Sequence, residues 1–323
     1  MIKTAVAVLL FVTLNRIFEP KYINENLDGR ITREYYHSSG LTDVVFLGPS
    51  TALSGISPKE LWMDEGISSY VRANASQTLC ISYYMAEDAV AVHKPQLICL
   101  DTTFMKFGDD FVEEPSTRKS LDGMRLSMSK LKCVRASMGP DEKMMNYIVP
   151  LFRFHTRWKE LTWDDIRYVW YMGSVTCNGY LEDDEIQPAQ SGDLVYIREP
   201  DEHISQGNRD YLNKLITLCR DNDIELFLFK TPALSDNWSE GFDRDIEEIA
   251  EENGITYINF DKYNEEIGLD YSVDTPDAGS HLNSTGAVKF SKYLGKYIME
   301  NYDVSDRRSE DHYKRYWERK IAN

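Results

Sequence analysis

Paired metal ligands are missing from this chain. Its 323 residues include six histidines and five cysteines, yet no His-x-x-x-His pair and no Cys-x-x-Cys pair occurs. Zinc ribbons and helix-borne metal sites need such pairs, so no metal and no cofactor is expected. The cysteines Cys80, Cys99, Cys133, Cys177 and Cys219 are odd in number and scattered. That argues against a disulfide scaffold, and Cys99 lies in an apolar run that reads as core. Positive charge is also scarce. Lys and Arg total 36 against 53 Asp and Glu, for a net charge of -17. Such a surface repels a phosphate backbone, so nucleic acid is not an expected partner. Internal repeats and low-complexity stretches are absent too.

Long apolar runs are limited to Thr4–Leu14, flanked by Lys3. A comfortable membrane span takes about 20 residues, so this run falls short. It matches a signal-peptide core, but no small-x-small cleavage site follows; Asn15-Arg16-Ile17-Phe18-Glu19-Pro20 comes next. Residues 1–18 are therefore read as an uncleaved signal anchor in the cell membrane, with the rest of the chain extracellular. A buried N-terminal helix or strand is the alternative. With 42% hydrophobic residues the remainder can bury a sizeable core.

Residues 19–40 are polar and aromatic and are read as a stalk. From residue 41 to 302, apolar strands alternate with helical patterns. Strands are expected at Thr42–Leu47, Pro95–Leu100, Ile224–Phe229 and Ile255–Phe260, and a further strand should end near Ala73. Helices are expected at Gln77–Val92, Asn208–Asn222, Asp243–Asn253 and Ser284–Tyr302. This alternation predicts an α/β fold, a three-layer α/β/α sandwich around a central parallel sheet. Between about residues 105 and 200 the alternation stops, and a mainly helical insertion is expected. Residues 303–323 are charged with spaced aromatics and are read as an exposed helix or frayed tail.

Ligand sites in parallel sheets lie beyond the carboxyl ends of the strands. Ser50, Asp101-Thr102-Thr103, Lys230-Thr231 and the segment holding Asp277 and His281 all fall at such ends. They could share one rim. Ser50 follows Gly48-Pro49 and could be a nucleophile once a base takes its proton; it could equally cap the next helix. His281 is the candidate base. Asp277 lies four residues earlier and could fix its tautomer, with Asp274 as a second candidate. Ala73, Asn74, Thr102 and Thr103 are candidate oxyanion or substrate donors, and each also reads as loop chemistry. His155, Arg157 and Trp158 could bind a sugar or an anionic group; an amphipathic helix packing Trp158 inward explains them equally well.

Several stretches carry a resemblance to a known group. They are the N-terminal anchor, Phe46-Leu47-Gly48-Pro49-Ser50, Asn74-Ala75-Ser76-Gln77, Lys94–Asp101, His155–Leu161, Lys230-Thr231-Pro232 and, most specifically, Asp277–Lys289. The chain resembles membrane-anchored proteins of the SGNH (GDSL-like) hydrolase type, related to the DltD and AlgJ/AlgX acyl-transfer proteins. The resemblance implies an SGNH/flavodoxin-like sheet and a Ser50–His281–Asp277 triad. It also implies esterase or O-acyltransferase activity on an O-acetylated cell-envelope or exported polysaccharide, partnered by a membrane-bound O-acyltransferase. A catalytically degenerate polysaccharide-binding or assembly protein is one rival, and a soluble cytoplasmic esterase is another. Departures from the group's pattern are Thr51 after the serine, Ala73 for a glycine, Asp101-Thr102-Thr103 without an asparagine, and four residues rather than three between acid and histidine.

Overall fold

The computed structural model describes residues 2–21, 29–38, 41–170, 173–174, 176–189, 202–234 and 237–322. Parts of the expected stalk and insertion, residues 22–28, 39–40, 171–172, 175 and 190–201, lie outside them. Helices α1 (Ile2–Phe18) and α2 (Arg30–Glu34) precede β1 (Val44–Gly48). Helices α3 (Ser50–Gly55) and α4 (Pro58–Glu65) lead to β2 (Ser69–Ala73), and α5 (Leu79–Val92) leads to β3 (Leu97–Asp101). The insertion follows as α6 (Glu114–Asp122), α7 (Met128–Ser137), α8 (Met144–Ile148), α9 (Pro150–Phe154) and α10 (Trp163–Arg167). Helix α11 (Gln206–Asp221) returns to β4 (Glu225–Lys230), and α12 (Glu240–Asn253) to β5 (Thr256–Asn259). The chain closes with α13 (Asn264–Ile267), α14 (Ser284–Asn301) and α15 (Asp311–Ile321).

All five strands are parallel, in the order β2-β1-β3-β4-β5. Successive strand residues point to opposite faces, and here both faces are apolar. Val45, Leu47, Ile98, Leu100, Leu226 and Leu228 enter one core, under α5, α11 and α12. Val44, Phe46, Leu97, Cys99, Phe227 and Phe229 enter the other, under α3, α4 and α14. A sheet covered on both sides is the expected three-layer α/β/α sandwich. The order reverses between β1 and β3, so the crevice at their carboxyl ends is the natural ligand position.

Two expectations change, for the stalk and the tail, and the N-terminal run does not follow its buried alternative. First, the described part of the expected stalk is core: Ile31 and Tyr35 are buried. The cause is Arg72 of β2, a fully buried guanidinium. It lies 4.0 Å from the Tyr35 ring and pairs with Asp88 at 3.0 Å, which also accepts from Tyr36 Oη. A buried charge requires such partners, and residues 30–37 supply them. The N-terminal run, α1, is helical but not buried. At 17 residues it extends about 25 Å, and among the described residues no helix is long and apolar enough to cross a membrane. Second, the charged C-terminus is docked. In α15, Trp317 is fully buried, stacked on Trp62 at 5.3 Å, and donates to Ser68 Oγ. Tyr313, Tyr316 and Trp317 share one helix face.

Trp317→Ala is expected to cost about 3–5 kcal/mol, read as a lower urea midpoint at unchanged slope. A loss under about 1 kcal/mol would mean that α15 is not part of the folded unit.

Candidate active site

The site begins where β1 ends. A Cβ on Gly48 would meet Asp101 Cβ at 2.7 Å and Ala52 Cβ at 3.0 Å, so only glycine lets β1 approach β3 here. Pro49 is extended, at φ -83 and ψ -159, and turns the chain into α3 with Ser50 as its first residue. Thr51 Oγ1 donates to Asp101 Oδ2 at 2.6 Å, and Thr231 Oγ1 donates to the same oxygen at 2.7 Å. Asp101 Oδ1 accepts from the Thr103 N–H and hydroxyl. One buried carboxylate therefore ties together the ends of β1, β3 and β4.

The second half of the site comes from the segment before α14. Asn283 caps that helix, its side chain accepting from the Gly286 N–H. A Cβ on Gly286 would meet the Asp274 carbonyl at 2.6 Å, which explains the glycine. Ala278 and Gly279 both have positive φ, 58° and 98°, so the loop turns sharply between Asp277 and His281. Thr275 Oγ1 accepts from the Gly279 N–H at 2.7 Å, and the Leu234 N–H bonds the Gly279 carbonyl.

These two halves meet. His281 Nε2 lies 2.7 Å from Ser50 Oγ, and His281 Nδ1 lies 2.5 Å from Asp277 Oδ2. Asp277 Oδ1 also accepts from the His281 backbone N–H at 2.9 Å. One carboxylate thus holds both ring and backbone, which is what a spacing of four residues permits. An ionised carboxylate only accepts, so Nδ1 carries the proton and Nε2 faces the serine as acceptor. Burial pushes the Asp277 carboxyl up, but the hydrogen bonds and charge of His281, with Thr275, outweigh it and hold the group below its ordinary value. The side chains of His281 and Asp277 are 27% and 39% exposed, so the pair is reachable from solvent.

Asp274, the other candidate acid, is buried and engaged elsewhere. Its Oδ2 accepts from Lys289 Nζ at 2.6 Å and from the Asp270 N–H at 2.7 Å. Ala73 ends β2 and Asn74 follows it, but the Asn74 amide donates to Thr32 and Gln77. Thr102 Oγ1 donates to the Phe229 carbonyl, and Thr103 is spent on Asp101. Lys230 points into the protein, paired with Asp261 at 2.7 Å and 5.6 Å from the Trp238 ring. The buried β4 position leaves it no access to a substrate. Arg157 bonds the Phe18 carbonyl and Asp165, while His155 bonds the Phe152 carbonyl. That cluster fastens α1, and Trp158 beside it points outward, 63% exposed. Among the described residues no group of three His, Cys, Asp or Glu side chains is placed to hold a metal ion.

One contribution has no sequence signal. The end of the insertion, residues 176–189, runs as a strap across the site. The Leu181 N–H bonds the Leu53 carbonyl of α3. The Asp183 carbonyl accepts from Ser284, and the Gln187 carbonyl accepts from the Ala278 N–H. Asn283 Nδ2 donates to the Glu185 carbonyl. These are largely main-chain contacts, which no residue type announces.

Asp101→Ala would leave the hydroxyls of Thr51, Thr103 and Thr231 without their shared acceptor, and is expected to cost about 3 kcal/mol or more, measured by urea unfolding. Asp277 makes a distinct pH prediction. Its folded carboxyl titrates below the unfolded one, so its stabilisation is present above about pH 4 and is lost as pH falls through the lower folded value. The stability gap between wild type and Asp277→Asn should therefore narrow on acidification below that point. A gap that stays constant to low pH would contradict the pairing.

No protein-family model matches this chain, and no curated protein does. Solved structures similar to it include a proposed acylhydrolase from Bacteroides fragilis, with a TM-score of 0.39 and 11% identity, covering 86% of this chain and 99% of that one. A GDSL-like lipase from Bacteroides thetaiotaomicron has a TM-score of 0.39 and 11% identity, covering 84% of this chain and 98% of that one. The fold assignment rests on the sheet itself, its order and its parallel register.

Proposed function

We propose that this chain is a serine acyl hydrolase or O-acyltransferase of SGNH type. The observation that carries the proposal is the continuous relay from Ser50 Oγ through His281 to Asp277 at the carboxyl edge of a parallel sheet. In this reading Ser50 Oγ attacks an ester carbonyl while His281 Nε2 takes its proton, and Asp277 holds Nδ1–H and stabilises the imidazolium. The tetrahedral intermediate collapses as His281 returns the proton to the leaving alkoxide, which leaves an acyl-serine. Water then gives hydrolysis, and a second hydroxyl gives transfer. The Ser50 N–H, in the first turn of α3, has no acceptor within the helix and is the proposed oxyanion donor.

The motif stretches that resemble membrane-anchored SGNH proteins support a narrower reading. There the ester is an O-acetyl group on a cell-envelope or exported polysaccharide, a membrane O-acyltransferase is the partner, and α1 tethers an extracytoplasmic domain. A second reading, a degenerate polysaccharide-binding protein, is favoured by one observation: the side chains of Asn74, Thr102 and Thr103 are all hydrogen-bonded inside the fold.

Hydrolysis of an aryl acetate and labelling by a fluorophosphonate separate the two. Ser50→Ala and His281→Ala should each lower kcat/KM by about 10³-fold or more, and the double variant should be little worse than either. Wild type that neither turns over the ester nor takes the label would leave the binding reading in place.

A further inference from the structure

Helix α1 has no acidic residue between Ile2 and Phe18, in a chain that carries 53 of them. Its apolar side chains are not arranged on one face. Val8, Leu9, Leu10, Phe11 and Val12 are consecutive and all exposed, and five successive residues circle the helix. A groove on a protein partner covers one side of a helix and leaves the other wet. A helix that is apolar all round suits a lipid solvent.

The base of this helix is ringed by the insertion. Helix α1 packs against α9, α10 and the turn His155–Lys159 between them. Trp158 lies in that turn, Trp163 opens α10, and Trp170 follows α10 by three residues; all three are exposed, at 63%, 72% and 61%. Phe152 and Ile166 are exposed beside them. Polar bonds fix helix and ring as one body. Asn15 Oδ1 accepts from the Leu151 N–H at 3.0 Å, Arg157 Nη1 donates to the Phe18 carbonyl at 2.6 Å, and Glu19 pairs with both Arg16 and Arg33.

We propose that α1 and the Trp158, Trp163 and Trp170 face form a single bilayer-docking surface, with α1 in the hydrocarbon and the indoles at headgroup level. Tryptophan prefers that interface because its ring is apolar and its N–H is polar. Lys159 Nζ, 5.0 Å from the Trp158 ring, is placed to reach lipid phosphates from the same level. The proposal rests on the tethering reading of α1 and adds to it. The insertion becomes a membrane-facing platform, so the catalytic domain is held at a fixed attitude to the bilayer rather than swinging on a stalk.

The test uses the full chain and vesicles of phosphatidylcholine with a minor fraction of phosphatidylglycerol, brominated either near the headgroup or deep in the acyl chains. Of the six tryptophans, Trp62, Trp238 and Trp317 are buried, so lipid-borne bromine reads the other three. Emission should be quenched, more by shallow than by deep bromines. Binding without quenching overturns the platform and leaves α1 as a lone tether; absence of binding overturns both. The triple variant W158A/W163A/W170A should bind vesicles at least about tenfold more weakly, from lost apolar burial, with unchanged aryl acetate turnover in their absence. Unchanged vesicle affinity would overturn the proposal. Leu9→Glu with Phe11→Glu should abolish binding, and persistence of binding in that variant would remove α1 from the membrane.

Discussion

The Asp101 carboxylate fixes the rim on which the rest of the site stands. It is buried at the end of β3 and accepts from Thr51 on one side, Thr231 on the other and Thr103 beside it. A buried carboxylate cannot be left short of donors without a large desolvation cost, so the three strand ends are constrained together. Thr51 is the residue after Ser50, and the anchoring of its hydroxyl sets the first turn of α3. Gly48 completes the constraint by admitting β1 close to Asp101. The serine is therefore placed by the sheet, not by the histidine it faces.

His281 is placed by different means. It arrives 231 residues later in sequence, on a loop whose backbone is bent through Ala278 and Gly279 and then laced to the strap at 183–189. Most of that lacing is main-chain hydrogen bonding in a part-exposed region, which opens locally at lower free energy than a packed core. The serine side of the site is the rigid half, and the base side depends on the strap staying seated.

Strands β1, β3 and β4 were legible because each is a short apolar run, as a sheet covered on both faces needs; β2 carries Ser69 and Arg72, and only its end was marked. Ser50 and His281 stand out in the sequence because they lie just after β1 and just before α14, and Asp277 is found from His281 by its spacing of four residues. What was misread follows from partners distant in sequence. Lys230 and Thr102 sit at strand ends like site residues, yet Asp261 and the Phe229 carbonyl claim them. Residues 30–37 looked like a stalk because the groups that hold their tyrosines inside, Arg72, Asp88, Tyr70 and His93, are distant in sequence. The aromatics of α15 did have helical spacing, at 313, 316 and 317, but the charge between them hid one buried face. The strap had no signal, since its contacts are made largely by backbone carbonyls.

The central claim is that Ser50 becomes acylated because His281 takes its proton. The most direct measurement is mass spectrometry of the intact protein and its peptides after rapid mixing with an aryl acetate and acid quench. An acetyl group on the peptide holding Ser50, present in wild type and lost in His281→Ala, is the predicted result. An acetyl group on another residue, or equal acetylation of Ser50 without His281, would contradict the account.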